Sequence, residues 1–161
     1  ELPINWDSKN KKEQQLVASY IRRQLQTLHI QPTEKGPYAV RAGELAHLKT
    51  DFHFALRETN SLGDMLKLLH PTPAVCGLPK EKAYRFILSQ EGYDRSYYSG
   101  FIGNLNPSGR TDLYVNLRCM HIGKERLTLY AGGGLLPTSK LADEWNETEK
   151  KLQTMLAITN N

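Results

Sequence analysis

Three charged side chains near the C-terminus have the spacing of one helix face. Glu144, Glu147 and Lys151 stand at i, i+3 and i+7, so a helix would place them side by side. Two carboxylates one turn apart can hold a hard cation such as Mg²⁺ through their oxygen atoms and through water. A solvated face with an ion pair between Glu147 and Lys151 explains the same spacing. Spacing alone favours the ion pair and leaves the metal site open.

Other candidate residues occur singly. Glu13 stands three residues after Asn10, as in a capping box, which would give it a structural role. His47 falls on the polar face of an alternating stretch, where a histidine is most often simply exposed. Arg118 could bind a carboxylate through its forked guanidinium, or be solvated. The glycine run at 132–134 would let backbone approach a ligand, but it lacks the spacing of a dinucleotide-binding loop.

Hydrophobic periodicity and turn residues predict helices mixed with antiparallel hairpins, an α+β architecture. The expected elements are a helix capped by Asn10 and ending near Leu28, a loop over 31–37, a strand over 46–56, helices over 61–69 and 79–90, strands over 98–104, 111–121 and 127–131, and a helix over 141–158. The strand over 46–56 should bury one face, formed by Ala46, Leu48, Phe52, Phe54 and Leu56, and Ser61 should cap the helix that follows. The strand over 111–121 should bury Leu113, Val115, Leu117 and Cys119, with Asn116 on its polar face, and the last helix should carry Trp145 on its apolar side.

Composition excludes several classes of protein. A chain of 161 residues with 39% hydrophobic residues suits one domain with a core. The formal charge of +4 is scattered, unlike the basic stripe of a nucleic-acid reader, so we expect no nucleic-acid partner. No apolar run is long enough to span a bilayer, and no signal peptide is visible. Two cysteines without metal-ligand spacing fit reduced thiols in a cytoplasmic protein.

Taken in order, several sequence blocks resemble one family. They are SKNKKEQQLV (8–17), AHLKT (46–50), HPTPAVCGLP (70–79), E…DRSYYSGFIG (91–103), VNLRC (115–119), LYAGGGLL (129–136) and DEWNETEKKLQTML (143–156). The chain is thereby similar to the chorismate-binding enzymes, in the isochorismate synthase branch. The resemblance implies part of an anthranilate synthase component I-like fold, with an antiparallel sheet and packed helices. It also implies that residues 1–161 are the C-terminal portion of a catalytic domain whose N-terminal portion is absent.

The resemblance also implies an activity and a set of roles. The activity is the Mg²⁺-dependent conversion of chorismate to isochorismate, in menaquinone or siderophore biosynthesis. The implied metal ligands are Glu13, Glu144 and Glu147, the substrate-binding residues are Ala74, Val75, Tyr98, Arg118, Gly132 and Lys151, and the catalytic residue is His47. Ala74 favours this branch over salicylate synthase, which tends to carry Thr at the matching position. Asn10 and Gln14 depart from the family pattern, which has Asp and His there.

The family also uses a lysine that activates water and a glutamate that protonates the leaving hydroxyl. Both belong to the upstream portion, so we expect this chain alone to be inactive. Sheet edges left without their neighbours should favour self-association of the chain. Two alternatives stay open: a salicylate synthase with lyase activity, and a non-catalytic module that binds chorismate.

Overall fold

The computed structural model describes residues 6–42, 45–56, 61–106 and 108–159. The chain divides into two compact units, Glu1–Phe86 and Ile87–Asn161. The elements of the first unit are helix α1 (Ser8–Thr27), strands β1 (Thr33–Ala42) and β2 (Leu45–His53), helix α2 (Leu62–Leu69) and the start of helix α3 (Lys80–Gln90). The elements of the second are the end of α3, strands β3 (Phe101–Asn104), β4 (Asp112–Val115), β5 (Cys119–Ile122) and β6 (Leu127–Tyr130), and helix α4 (Leu141–Thr159).

Helix α1 begins earlier than the sequence predicted. The N-cap is Asp7, whose carboxylate accepts a hydrogen bond of 2.7 Å from the backbone N–H of Asn10. Asn10 is therefore the third helical residue, and the expectation that it caps the helix was wrong. An aspartate satisfies an orphan N–H at a helix start as well as an asparagine does, which left the choice open in the sequence. It follows that Glu13 lies outside any capping box.

Strands β1 and β2 form an antiparallel hairpin. The loop expected over 31–37 was wrong, because β1 already begins at Thr33. The pairing register shifts between Lys35 and Tyr38, where the chain reads Gly36-Pro37. Proline lacks a backbone N–H and glycine accepts the positive φ of 124° found here, so this pair makes an irregularity within the strand.

The core of the first unit forms where α1, α2 and the hairpin meet. Its centre is the buried cluster of Leu25, Ile30 and Met65, with Phe52 and Phe54 packed against it. The alternating pattern over 46–56 predicted that these two phenylalanines share a buried face with Leu56. This is confirmed for the phenylalanines and wrong for Leu56, which is 39% exposed.

The predicted cap of helix α2 is also confirmed. Ser61 accepts a hydrogen bond from the backbone of Asp64, and the Asp64 carboxylate accepts one from the backbone of Ser61. This capping box satisfies two backbone donors at the helix start, so the chain begins α2 at a defined residue.

The described part of the second unit forms two separate hairpins. Strand β3 pairs with β4, and β5 pairs with β6, both antiparallel. The single strand expected over 111–121 was wrong, because the chain leaves extended geometry between Val115 and Cys119. Arg118 has a φ of +46°, which belongs to the left-handed region and interrupts a strand.

Several side chains expected in a core are exposed. Val115 and Leu117 are 38% and 47% exposed, and Trp145 is 64% exposed. Alternation and helical spacing identified an apolar face correctly, but each hairpin of the second unit has only two strands, and the described residues include no layer that covers these faces. The architecture is nevertheless α+β, as the sequence predicted. Among the described residues, no helix is both long and apolar enough to cross a bilayer.

Candidate active site

Helix α4 presents its two candidate metal ligands to the glycine segment that follows β6. Glu144 is buried, with 7% of its surface exposed. A Cβ atom built on Gly133 would lie 3.4 Å from Oε2 of Glu144 and 3.6 Å from Oε1 of Glu147. Both carboxylates therefore face one backbone position, where a Cβ atom would make ordinary van der Waals contact with their oxygen atoms. The helix face expected from the sequence is confirmed.

Lys151 joins this face to the glycine segment. Its ammonium lies 2.6 Å from Oε1 of Glu147 and donates a hydrogen bond of 3.0 Å to the carbonyl of Gly132. The predicted ion pair exists, but it is not a fully solvated one, since the Lys151 side chain is only 22% exposed. The lysine thus links α4 to the backbone that precedes Gly133.

Tyr98 reaches the same glycine segment from the turn before β3. Its ring is buried and stacks on Tyr130, with ring centroids 5.5 Å apart. A Cβ atom on Gly132 would overlap the Tyr98 hydroxyl oxygen. The second unit therefore brings together five residues that the family resemblance singled out. They are Tyr98, Gly132, Glu144, Glu147 and Lys151.

An arginine that sequence reasoning missed supports Tyr98. The Arg95 guanidinium lies 5.5 Å from the centroid of the Tyr98 ring and donates a hydrogen bond of 3.0 Å to the Ser99 hydroxyl. It also forms a bidentate ion pair with the carboxylate of Glu91. Burial raises the pKa of the Tyr98 phenol, and the Arg95 charge and the Ser99 hydrogen bond oppose that rise. The i, i+4 spacing of Glu91 and Arg95 was the available signal.

Asn116 holds the turn that carries Tyr98 and precedes Arg118. Its side-chain amide donates a hydrogen bond of 2.9 Å to the Tyr97 carbonyl. Its backbone N–H donates one of 2.8 Å to the Gly100 carbonyl, and its backbone carbonyl accepts one of 2.9 Å from the N–H of Ser99. Arg118 follows two residues later, half-buried, at the break between β4 and β5. The sequence pattern gave Asn116 only a place on a strand face.

In the first unit, two of the family blocks contact each other. The side-chain amide of Gln14 donates a hydrogen bond to the hydroxyl of Thr50, which ties α1 to β2. Glu13 precedes Gln14 and lies 3.4 Å from the Lys9 ammonium. His47 is half-buried on the same strand as Thr50, opposite Val40. The glutamine that departs from the family pattern therefore connects the helix of Glu13 to the strand of His47.

The proline-rich segment forms a tight turn around the two remaining candidates. The Thr72 carbonyl accepts hydrogen bonds of 3.1 Å from the backbone N–H groups of Val75 and Cys76. Val75 is buried at 8% exposure, whereas Ala74 is exposed. Ala74 is thus the residue of this turn that presents its side chain outward.

The predicted metal ligands belong to different units. Glu13 belongs to the first unit, and Glu144 and Glu147 belong to the second. Within the described part of either unit, no three His, Cys, Asp or Glu side chains form a group that could hold a metal ion. A pair of carboxylates one helical turn apart does supply the oxygen donors that Mg²⁺ prefers, with water completing its shell. The metal site stays a prediction with a suitable donor pair.

The sequence model of the family described as chorismate binding enzyme matches residues 4–160. The chain belongs to the chorismate-binding enzymes. Over 144 residues it is 31% identical to the isochorismate synthase EntC of Escherichia coli K12, covering 89% of this chain and 36% of that protein. Over 141 residues it is 36% identical to the isochorismate synthase DhbC of Bacillus subtilis 168, covering 87% of this chain and 35% of that one.

Solved structures agree with this family membership. MenF, the menaquinone-specific isochorismate synthase of Escherichia coli, superposes with a TM-score of 0.81 at 32% identity, covering 92% of this chain and 34% of its own. DhbC of Bacillus anthracis gives a TM-score of 0.85 at 32% identity, covering 96% of this chain and 42% of its own. The partial chorismate-binding fold is therefore confirmed. The chain spans about a third of the length of the curated relatives named here.

Proposed function

We propose that this chain is part of an isochorismate synthase, which converts chorismate to isochorismate. The observation that carries the proposal is the contact set of the second unit. There the carboxylates of Glu144 and Glu147, the ammonium of Lys151 and the hydroxyl of Tyr98 converge on the glycine segment at 132–133. Family membership supplies the substrate class, and the isochorismate synthases among the relatives supply the reaction.

The proposed roles follow the charges of chorismate, which carries two carboxylates. Arg118 and Tyr98 bind the enolpyruvyl carboxylate, since a guanidinium and a phenol both donate to a carboxylate. Lys151 lies near the ring carboxylate. Gly132 allows backbone to approach the ring. Its missing side chain also leaves the space that the Tyr98 hydroxyl occupies.

Glu144 and Glu147, together with Glu13, would hold Mg²⁺. When bound, the ion would stabilise negative charge on the ring carboxylate and on the departing hydroxyl, as a Lewis acid does. The observation that supports this assignment is the orientation of two carboxylates toward Gly133, where the absence of a side chain leaves room beside their oxygen atoms.

His47, Ala74 and Val75 complete the proposal in the first unit. His47 acts as the catalytic histidine of the AHLKT block, on the strand that Gln14 holds through Thr50. Ala74 and Val75 line the substrate site through the turn at 72–76. Alanine at position 74, where salicylate synthases tend to carry threonine, favours an enzyme that releases isochorismate over one that cleaves it further.

The test is product analysis with the gene product that contains this chain. Chorismate and Mg²⁺ should yield isochorismate without pyruvate, and Glu147→Gln should abolish turnover while Glu149→Gln, on the same helix and exposed, should leave it unchanged. Stoichiometric pyruvate would support the salicylate synthase alternative. Tight chorismate binding without turnover would support the non-catalytic module.

Two further properties belong to the proposal. The family chemistry uses soluble metabolites, which fits a cytoplasmic enzyme without nucleic-acid or membrane partners. The open edges of the two-stranded sheets favour self-association of this chain at high concentration. Light scattering of the 161-residue chain should give a mass above 18.3 kDa that rises with concentration, and a constant monomer mass would contradict the self-association.

A further inference from the structure

The last carbonyl groups of helix α2 need hydrogen-bond donors from outside the helix. The final four carbonyls of any helix lack intrahelical partners. Here the backbone N–H of His70 satisfies Leu66 at 2.8 Å. The chain then continues through Pro71 and Pro73, which have no N–H to offer. The carbonyls of Leu68, Leu69 and His70 take hydrogen bonds from side chains outside the helix.

Tyr20 and Lys80 supply those donors. The Tyr20 hydroxyl lies 3.1 Å from the Leu68 carbonyl and 3.3 Å from that of Leu69. The Lys80 ammonium donates 2.9 Å to the His70 carbonyl and 3.2 Å to the Tyr20 hydroxyl, and lies 3.5 Å from the Leu68 carbonyl. Tyr20 is only 3% exposed. A cation at a helix C-terminus is also favoured by the helix dipole.

These contacts fix the start of the segment that carries Ala74 and Val75. The same first turn of α3 also holds the end of the segment, because the Cys76 thiol lies 3.7 Å from the Lys80 carbonyl. Gly77, with a φ of +151°, lies against Ala83 so closely that a Cβ atom would come within 2.9 Å of it. The chain thus leaves α2 and returns to α3 through a segment anchored at both ends, and Lys80 is common to both anchors.

The ammonium of Lys80 donates its hydrogen bonds to neutral oxygen atoms. Each of its hydrogen bonds goes to a carbonyl or a hydroxyl, and no described carboxylate lies within ion-pair distance of it. Replacing Lys80 by a neutral residue would therefore leave no buried carboxylate without a counter-charge. It would, however, remove a hydrogen-bond donor from the carbonyls of Leu68 and His70. We propose that Lys80 is a positioning residue that fixes the turn at 72–76 for ligand binding. The ligand part of this inference rests on the proposed function, which places Ala74 and Val75 at the substrate.

Hydrogen exchange of this chain tests the positioning. Lys80→Met should speed exchange of the Val75 and Cys76 amides by about tenfold or more, because the loss of a net hydrogen bond corresponds to roughly that factor. Lys80→Arg should restore slow exchange, since a guanidinium also donates to several carbonyls. Lys82→Met is the matched control, because Lys82 is exposed on the same helix. Unchanged exchange at both amides, or equal acceleration at the core amide of Leu25, would overturn the inference.

A second arm separates this inference from the proposed function. In the gene product that contains this chain, saturating chorismate should slow exchange at Val75 and Cys76, and Lys80→Met should raise the dissociation constant for chorismate about tenfold, with rescue by Lys80→Arg. Protection by chorismate together with no effect of Lys80→Met would overturn the role of Lys80 alone. Faster exchange in Lys80→Met together with no protection by chorismate in the unmodified protein would overturn the proposed ligand at this turn.

Discussion

The hydroxyl oxygen of Tyr98 occupies the space that a side chain at residue 132 would fill. Tyr98 comes from the turn before β3 and Gly132 from the segment after β6, so one contact joins the two hairpins of the second unit. Lys151 holds the same glycine through its carbonyl, at 3.0 Å. Tyr98 therefore leaves no room for a side chain at position 132, and Lys151 holds the carbonyl of the same residue by a hydrogen bond.

Replacing Gly132 by alanine should destabilise the second unit. The added Cβ would overlap the Tyr98 hydroxyl and force the ring or the glycine segment to move, at a cost of about 1–3 kcal/mol in the free energy of unfolding. Gly63→Ala is the control, because a Cβ there meets Ser61 Oγ at an ordinary 3.6 Å. Denaturant unfolding measures both. The double variant with Tyr98→Phe should lose less than the sum of the two single variants, and strict additivity would contradict the contact.

Leu25 should be the most sensitive apolar position of helix α1. It is fully buried in the cluster with Ile30 and Met65. Leu25→Ala should lower the free energy of unfolding by about 2–5 kcal/mol, because the cavity cannot fully collapse. Leu16→Ala on the same helix should cost about 1 kcal/mol or less, since Leu16 is 37% exposed. Equal losses for the two variants would contradict the described core.

The ion pair between Arg22 and Glu34 should give a pH-dependent share of stability. Their hydrogen bonds of 2.7 Å lower the pKa of Glu34. A carboxyl whose pKa is lowered by folding contributes stability above its unfolded pKa of about 4.3, and this contribution is lost as the pH falls through the folded pKa. Glu34→Gln should therefore cost up to about 1 kcal/mol at pH 7, because the pair is partly exposed.

At a pH below the lowered pKa of Glu34 in the folded chain, the same variant should unfold with nearly the same free energy as the unmodified chain. Glu81→Gln is the control, because the pair of Glu81 with Arg85 has the same charges but is 72–78% exposed. Its effect at pH 7 should be smaller than that of Glu34→Gln. A difference for Glu34→Gln that does not shrink as the pH falls from 7 until the chain unfolds in acid would exclude this pair as the cause.

The carboxylates of helix α4 should dominate Mg²⁺ binding. Glu144→Gln should lower the Mg²⁺ affinity of the gene product by more than about tenfold, since changes even at groups that only support metal ligands cost 10–100-fold. Glu149→Gln, on the exposed side of α4, should leave the affinity unchanged. Titration calorimetry with MgCl₂ measures both. Equal affinities for the two variants would remove Glu144 from the site.

Local patterns predicted most of the helices of this chain correctly. Helix α2 has its cap at Ser61, and α4 has its charged face at Glu144, Glu147 and Lys151, because side-chain spacing and short-range hydrogen bonds decide both features. The strands were harder to predict. The break at Arg118 depends on the geometry between two hairpins, which no alternation of apolar residues encodes.

Some residues of the candidate site could be predicted from the sequence and others could not. Its charged residues could be identified from spacing and from the family resemblance, because they belong to continuous sequence blocks. The residues that hold them in place could not be predicted. Arg95, Asn116 and Lys80 act through contacts with backbone or rings that are remote in sequence or set by turn geometry. The burial of Val115 was overestimated because alternation indicates an apolar face but not what covers it.

The most direct measurement of the central claim is the position of the metal. A crystal structure of the gene product that contains this chain, grown with chorismate and with Mn²⁺ in place of Mg²⁺, would locate the ion by its anomalous signal. The account predicts one ion bound by Glu13, Glu144 and Glu147, with the enolpyruvyl carboxylate of the ligand on Arg118 and Tyr98. An ion bound elsewhere, with Glu13 remote from the two glutamates of α4, would contradict it.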